Sequence, residues 1–366
     1  LNEGNPDQQQ QYLPLGVERN GLMRQSLLTP PTTDPSPLFD AIDSQYASYV
    51  LDVAVVHFHI FDLLAARSYS AEELQLALKL APRAANVLFT ALNAMALVTH
   101  SDGGEFNLTD LAREHLHKKS VYETDRYFGL RAQSPEVLAF ASRLRSNALG
   151  NQFIYRRGDP CLMDDKGHCR DMTLSLVGRA KPVAPYLVRH MPLSDASVLM
   201  DLGCGSGIYS IACLQAFPHL RVVAVDHANV LEVTRELAND YGVASRMEFI
   251  SADMFSDSIP SGCDVVLVSN VLHDWDVADC QDLLRRCSAS LVQGGKLVIH
   301  DYFLCGEFDA SLPVALHSAS LFCMTHGRVY GTAEYKEWLR AASLFATQPI
   351  IPTRTHLGML VANKDG

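Results

Sequence analysis

The chain has 366 residues, 41 acidic residues against 30 Lys and Arg, a formal net charge of −11 and nine cysteines. At roughly 100–200 residues per domain this length suits two domains, each able to bury a core without metal or disulfide staples. The acidic balance without a basic run argues against nucleic acid, and no apolar stretch reaches the about 18–20 residues of a membrane span.

Residues 1–37 open polar and turn Pro-rich at Pro30, Pro31, Pro35 and Pro37, which reads as a flexible arm without a secretory signal. From Asp40 to Ala66 apolar residues recur at helical spacing, and Ser70-x-x-Glu73 is a capping box for another helix. A further apolar helix is expected over 83–97, then two short strands around Asp102-Gly103-Gly104. Helices followed by such a hairpin suggest a winged helix. Its would-be recognition helix offers only Arg83 among Ala, Val, Leu, Phe and Met, so packing or dimerisation is the better use. The pattern stays helical to about 190, with loops near 147–170.

Short apolar runs then alternate with helical segments. They are Val198–Asp201, Arg221–Asp226, Met247–Ile250, Cys263–Val268 and Lys296–His300. This alternation is that of an α/β, Rossmann-like, doubly wound parallel sheet. Two final runs, Gln348–Thr353 and His356–Ala362, are too close for a parallel crossover and should form an antiparallel hairpin. The cysteines contain no C-x-x-C pair, which argues against zinc or disulfides and for a reducing cytoplasm.

The sharpest motif is Asp201-Leu-Gly203-Cys-Gly205-Ser-Gly207, after a strand and before a helix. Glycines there allow a tight turn and close approach to a ligand. A dinucleotide fingerprint fails because its third glycine would fall on Ile208, and no Gly-Lys-Ser/Thr follows to make a P-loop. Asp226 ends the next strand, where a carboxylate can accept both hydroxyls of a ribose. Asp253-Met254-Phe255 follows the third strand: an acid for an exocyclic amine, then an apolar side chain for the face of a purine. Together these three strand ends outline a nucleoside site. His273 lies just past the fourth strand, at the same carboxyl edge of the sheet, and a neutral imidazole there can accept a proton from a hydroxyl.

With Val271-Leu-His-Asp-Trp275 added, the run from Val198 to Leu304 resembles a class I S-adenosylmethionine-dependent methyltransferase. More narrowly, residues 38–362 resemble the dimeric small-molecule O-methyltransferases typified by plant caffeic acid O-methyltransferase and acetylserotonin O-methyltransferase. The resemblance implies an arm (1–37), a helical winged-helix-like dimerisation and acceptor-binding domain (38–190) and a cofactor domain (191–366). It implies a homodimer that methylates a hydroxyl of a small aromatic or heteroaromatic acceptor, of the kind found among secondary metabolites, without a metal. It makes His273 the general base and Asp301 its first orienting carboxylate. The family's second orienting acid should fall within Gly327–Thr332, where Tyr330 or Val329 stands instead. Glu334 nearby reads as a solvated residue. A lysine of plant members corresponds to Ser269. The implied cofactor set is Asp201, Gly203, Gly205, Gly207, Asp226, Asp253, Met254, Phe255 and Ser269. Acceptor candidates are Tyr127, Phe128, Phe153, Asp274, Phe322 and Met324. The missing second acid keeps open an S-adenosylmethionine-binding enzyme that rearranges, hydroxylates or decarboxylates its substrate.

Overall fold

A computed structural model describes residues 26–100, 104–148, 162–346 and 348–365. The first 25 residues of the expected arm, and the acceptor candidate Phe153, lie outside the described residues. The rest of the arm is not free. Leu27 is buried in the core of the second half and its amide donates to Gln215 Oε1 at 3.0 Å, and the first helix already starts at Ser36. Burial of one leucine is worth about 1.5–3 kcal/mol, which offsets part of the entropy lost in holding this stretch.

The expected helix over 40–66 is three helices, Ser36–Asp43, Gln45–Asp52 and Ile60–Ala66, with a π turn at Val53–His57. β-Branched Val53, Val55 and Val56 crowd the preceding turn. The Phe58 amide donates five residues back to the Val53 carbonyl at 2.9 Å, and His59 takes a left-handed φ of 50° that ends the run. The capping box forms as its spacing predicts: Ser70 Oγ accepts from the Glu73 amide at 3.1 Å and Glu73 Oε2 from the Ser70 amide at 3.0 Å. It starts helix Ala71–Leu78.

Strands β1 (Tyr69–Ser70), β2 (Val98–His100) and β3 (Glu105–Leu108) form a small sheet in the order β1-β3-β2, the last two as the expected antiparallel hairpin. Helix Pro82–Ala94 buries eight of its 13 residues and packs along helix Leu312–Met324. Its apolar face is therefore used inside the protein, not against DNA.

The second half carries parallel strands β4 (Val198–Leu202), β5 (Arg221–Asp226), β6 (Met247–Ser251), β7 (Cys263–Ser269) and β8 (Leu291–Asp301). A short parallel pair, β9 (Phe303–Leu304) and β10 (Tyr330–Gly331), lies apart from them. Strands β11 (Leu344–Ala346), β12 (Ile351–Pro352) and β13 (Gly358–Lys364) complete the large sheet. Its order is β11-β13-β8-β7-β4-β5-β6, with β12 also on β13. β13 runs antiparallel to β8 from Gly358↔Asp301 to Asn363↔Lys296, closing a doubly wound sheet. The hairpin differs from expectation in its first arm: the outer edge is split between β11 and the two residues of β12. Pro349 and Pro352 have no amide hydrogen, so the Gln348–Thr353 run cannot sustain a ladder.

From β4 the chain winds outward through β5 and β6, then returns to the other side as β7. The crevice at the carboxyl ends of β4 and β7 is thus a topological switch point, where open α/β sheets place their ligands. No single described helix is long and apolar enough to cross a membrane.

Candidate active site

A cavity of about 370 Å³ lies at that crevice, roofed by residues of helices Lys166–Ala180 and Leu312–Met324. Gly203 and Gly205 line it with φ of 72° and 52°, values that only glycine adopts readily. A β-carbon on Gly203 would meet Val271 Cγ2 at 2.8 Å, whereas one on Gly205 would meet nothing nearer than Leu176 Cδ1 at 3.8 Å. Gly205 therefore presents bare backbone to the cavity. Gly207 does not line it: its β-carbon would sit 2.5 Å from Thr234 Cγ2, so this glycine serves close packing against helix Ala228–Asp240.

Asp226 is held by two backbone amides, Oδ2 accepting from Gly205 at 2.8 Å and Oδ1 from His227 at 2.7 Å. Burial nevertheless raises its pKa. Each oxygen keeps a lone pair for an incoming hydroxyl. Asp201 lies deeper, accepting from Ser210 Oγ at 2.6 Å, and burial pushes its pKa up to about 7. Asp253 closes a local turn, Oδ1 accepting from the Phe255 amide at 2.9 Å and Oδ2 from Ser256 Oγ at 2.8 Å. Burial acts to raise its pKa, but these bonds outweigh it and hold the carboxyl below its usual range. Met254 Cε lies 3.8 Å from where a Gly203 β-carbon would be, and Phe255 stands edge-on to Trp275 at 4.5 Å. Ser269 is engaged sideways, with His300 Nδ1 at 2.8 Å, and accepts from Asn270 Nδ2 at 3.1 Å. Asn270 takes a φ of 54° and its buried Oδ1, on a cavity-lining residue, has no partner among the described residues.

His273 sits on the short turn Leu272–Asp274 and lines the same cavity. Its Nδ1 lies 2.5 Å from Asp301 Oδ1, at the end of β8, and that oxygen also accepts from the Tyr302 amide at 2.8 Å. An ionised carboxylate only accepts, so the imidazole proton sits on Nδ1 and Nε2 is left as a lone pair. Burial lowers the His273 pKa, but the Asp301 and Asp274 carboxylates outweigh it and the net shift is upward. Asp274 Oδ1 is 3.7 Å from Nε2, and burial pushes the Asp274 pKa up to about 6.

No acid stands where the second orienting carboxylate was sought. Val329 is buried, and the Tyr330 hydroxyl donates to the Trp275 carbonyl at 2.5 Å. Glu334 is not the solvated residue expected. It takes both arms of Arg328, at 2.5 and 3.1 Å, and accepts from the Gly331 amide at 2.9 Å. Gly327 closes the back of the His273 turn, where a β-carbon would collide with the His273 carbonyl and lie 2.6 Å from that of Trp275.

The family described as the O-methyltransferase domain matches residues 173–344. The crystal structure of an O-methyltransferase family 2 protein from Planctomyces limnophilus, complexed with apigenin, superposes with a TM-score of 0.84 at 37% identity. That match covers 94% of this chain and 100% of the other. The chain belongs to this O-methyltransferase family. The 3-hydroxy-5-methyl-1-naphthoate 3-O-methyltransferase of Streptomyces sahachiroi is 29% identical over 86% of this chain and 91% of its own length. Human N-acetylserotonin methyltransferase, solved with S-adenosylmethionine, shares the fold with a TM-score of 0.55 at 19% identity. The match covers 92% of this chain and 100% of that one.

The acceptor side of this O-methyltransferase differs most from expectation. Met324 and Asp274 line the cavity. Tyr127 does not, being 69% exposed on the outer surface, and Phe128 packs against the core of the helical half. Phe322 is wholly buried in that core, with the Arg83 guanidinium 4.4 Å and that of Arg143 5.8 Å from its ring centre. Phe128 and Phe322 serve packing because their helices meet other helices there. Sequence reasoning missed Asn270, Tyr209, Arg179, Leu176 and His317, all cavity-lining. Arg179 lies on helix Lys166–Ala180 and donates to the Tyr302 hydroxyl at 3.2 Å. No motif marks these residues, although an arginine and a histidine amid apolar neighbours were visible signals.

Proposed function

We propose that S-adenosylmethionine lies along the carboxyl ends of β4, β5 and β6, and that His273 takes the proton from a hydroxyl of a small aromatic or heteroaromatic acceptor of secondary-metabolite type. The observation that carries this reading is the buried His273–Asp301 pair, with its free nitrogen on a residue that lines the same cavity as the glycine turn.

The residues present fit the donor. Asp226 has lone pairs for ribose hydroxyls, Gly205 bare backbone, Met254 an apolar side chain beside the glycine turn, and Asn270 an unpartnered acceptor for an ammonium group. Asp201 supports the turn from beneath through Ser210, and Ser269 supports Asn270. When bound, the cofactor supplies a methyl carbon carried on a sulfonium leaving group. The protein then has two tasks. It aligns an acceptor oxygen, which can be worth about 7–11 kcal/mol in the best cases, and it accepts a proton, worth roughly 10²–10⁴-fold. Asp301 fixes the His273 tautomer and steadies the imidazolium that forms.

Apigenin in the Planctomyces limnophilus structure and the hydroxynaphthoate in the name of the Streptomyces sahachiroi enzyme support a flat hydroxylated acceptor. The helical half, 38–190, is the proposed dimerisation and acceptor-binding unit, and residues from 191 on the cofactor unit. Leu38 and Ile42, one turn apart on helix Ser36–Asp43 and 73% and 65% exposed, give the helical half an apolar outer surface.

His273→Ala tests the base. The variant should bind S-adenosylmethionine within about threefold of wild type by calorimetry, while label transfer from methyl-labelled cofactor to a panel of phenols falls roughly 10²–10⁴-fold. Turnover near the wild-type rate would place the base elsewhere.

A further inference from the structure

Helix Leu312–Met324 is apolar on most sides, yet carries a histidine that lines the cavity. His317 is 8% exposed and its Nδ1 lies 2.9 Å from Asp43 Oδ2, a carboxylate at the end of the first N-terminal helix. Its Nε2 is buried and has no partner among the described residues. The His317 ring lies 4.2 Å from that of Tyr302 and meets the His273 ring edge to face at 6.0 Å.

Burial pushes the His317 pKa down to about 4, the Arg179 and His273 charges acting the same way and Asp43 against them. For Asp43, burial acts upward, but the bonds from His317 and Ser320 together with the nearby positive charge outweigh it, so the net shift is downward. The pair is therefore a neutral ring beside an ionised carboxylate. Because the carboxylate only accepts, the ring proton sits on Nδ1, and Nε2 is an acceptor and not a donor. A buried acceptor without a partner is costly, and a ligand that brings it a donor gains that cost back. So weakly basic a ring is poorly suited to remove a proton from a phenol, which leaves recognition as its use.

We propose that His317 Nε2 accepts a hydrogen bond from a second hydroxyl of the acceptor, on a ring position close to the oxygen that is methylated. The residue thereby selects dihydroxylated aromatic acceptors over monohydroxylated ones. The proposal rests on the reading of the cavity as a methyl-transfer site with His273 facing the reacting hydroxyl. The two rings are edge-to-face neighbours, 6.0 Å between centroids, and both residues line the cavity, so adjacent hydroxyls on one acceptor ring entering from the cavity meet one imidazole each.

The test compares 2,3-dihydroxynaphthalene, 2-naphthol and 3-methoxy-2-naphthol on the full chain. It measures kcat/KM with S-adenosylmethionine, and Kd for enzyme loaded with S-adenosylhomocysteine. The diol should be favoured at least about 10-fold over 2-naphthol in both measures. His317→Leu should bring the diol-to-2-naphthol ratio near one in both measures, whatever happens to the absolute rates. His317→Gln, which can still present an acceptor oxygen, should retain part of the preference. Asp43→Asn can donate to Nδ1 and move the ring proton to Nε2, so the preference should pass to the methoxy compound. If His317→Leu does not fold, the imidazole nitrogen NMR signals of His317 decide. Nε2 should read as unprotonated in the S-adenosylhomocysteine complex and move on adding the diol but not on adding 2-naphthol. Equal handling of diol and 2-naphthol by wild type, or a preference that survives His317→Leu, overturns the proposal. Absence of methylation on any probe counts against the methyl-transfer reading, while the Kd ratio and the Nε2 signal still decide the role of His317.

Discussion

A proton held between His273 and Asp301 has a consequence for activity against pH. As the proposed base, His273 acts only when Nε2 is unprotonated, and although burial lowers its pKa the neighbouring carboxylates raise it on balance above the ordinary value of 6.5. The rate should therefore rise with pH through a midpoint above that of an ordinary histidine. In Asp301→Asn the negative charge that favours the imidazolium is gone, so the midpoint should move to lower pH. The plateau should also fall, by about 10²-fold or more, because an amide can donate to Nδ1 and select the wrong tautomer. A pH profile of kcat/KM for both forms checks this, and an unmoved midpoint would dissociate the rate-limiting ionisation from His273. Asp301 was legible in the sequence through the family resemblance, which matches this strand-end acid to an orienting carboxylate. The use proposed for His317 was not, since it depends on Asp43, 274 residues away.

Among elements, the glycine turn divides its work between lining the cavity and packing. Gly205 opens to the cavity, but Gly207, with φ 68°, is required by the approach of Thr234. Thr234 also ties the turn down, its hydroxyl reaching the Gly205 carbonyl at 2.6 Å and its own helix at Val230 O at 3.0 Å. Gly207→Ala should thus destabilise the fold by about 2 kcal/mol, from backbone strain and from the clash with Thr234 Cγ2. Thr234→Ser removes that methyl and keeps the hydroxyl, so in its background the cost of Gly207→Ala should shrink. A double-mutant cycle in urea measures the coupling, and strict additivity would mean that the strain alone sets the cost. The sequence marked all three glycines alike because their spacing is alike. Which of them faces ligand depends on the packing partner above each one. The same limit applies to the last hairpin, where prolines in the first arm shortened a ladder that the run of apolar residues suggested.

At the scale of the whole molecule, the two halves are not independent bodies joined by a linker. Phe308, Ala319 and Phe322, from beyond the sheet, sit in the hydrophobic core of the helical half. The packing and the cavity lining both run across the division near 190 that the change of sequence pattern suggested; sequence pattern alone cannot show such long-range sharing. Arg83 is the clearest polar link. From helix Pro82–Ala94 its Nη1 donates to the Thr325 carbonyl at 2.9 Å and to the Gly327 carbonyl at 3.0 Å, and Nε reaches Asn147 Oδ1 at 3.1 Å. Gly327 in turn lies against the backbone carbonyls of His273 and Trp275. The guanidinium therefore holds, from the helical half, the loop on which the His273 turn rests. Burial lowers the Arg83 pKa to about 10, which leaves it charged at neutral pH. Arg83→Ala strands two carbonyls and should cost about 2–4 kcal/mol of stability. It should also raise KM for the acceptor several-fold, since the loop behind His273 loosens, while affinity for S-adenosylmethionine, whose proposed seat is along β4, β5 and β6, stays within about twofold. Arg83→Lys, with one compact ammonium in place of the fork, should recover only part of the stability. Equal losses of cofactor and acceptor affinity in Arg83→Ala would mean that the helical half supports the whole sheet edge and not this loop in particular.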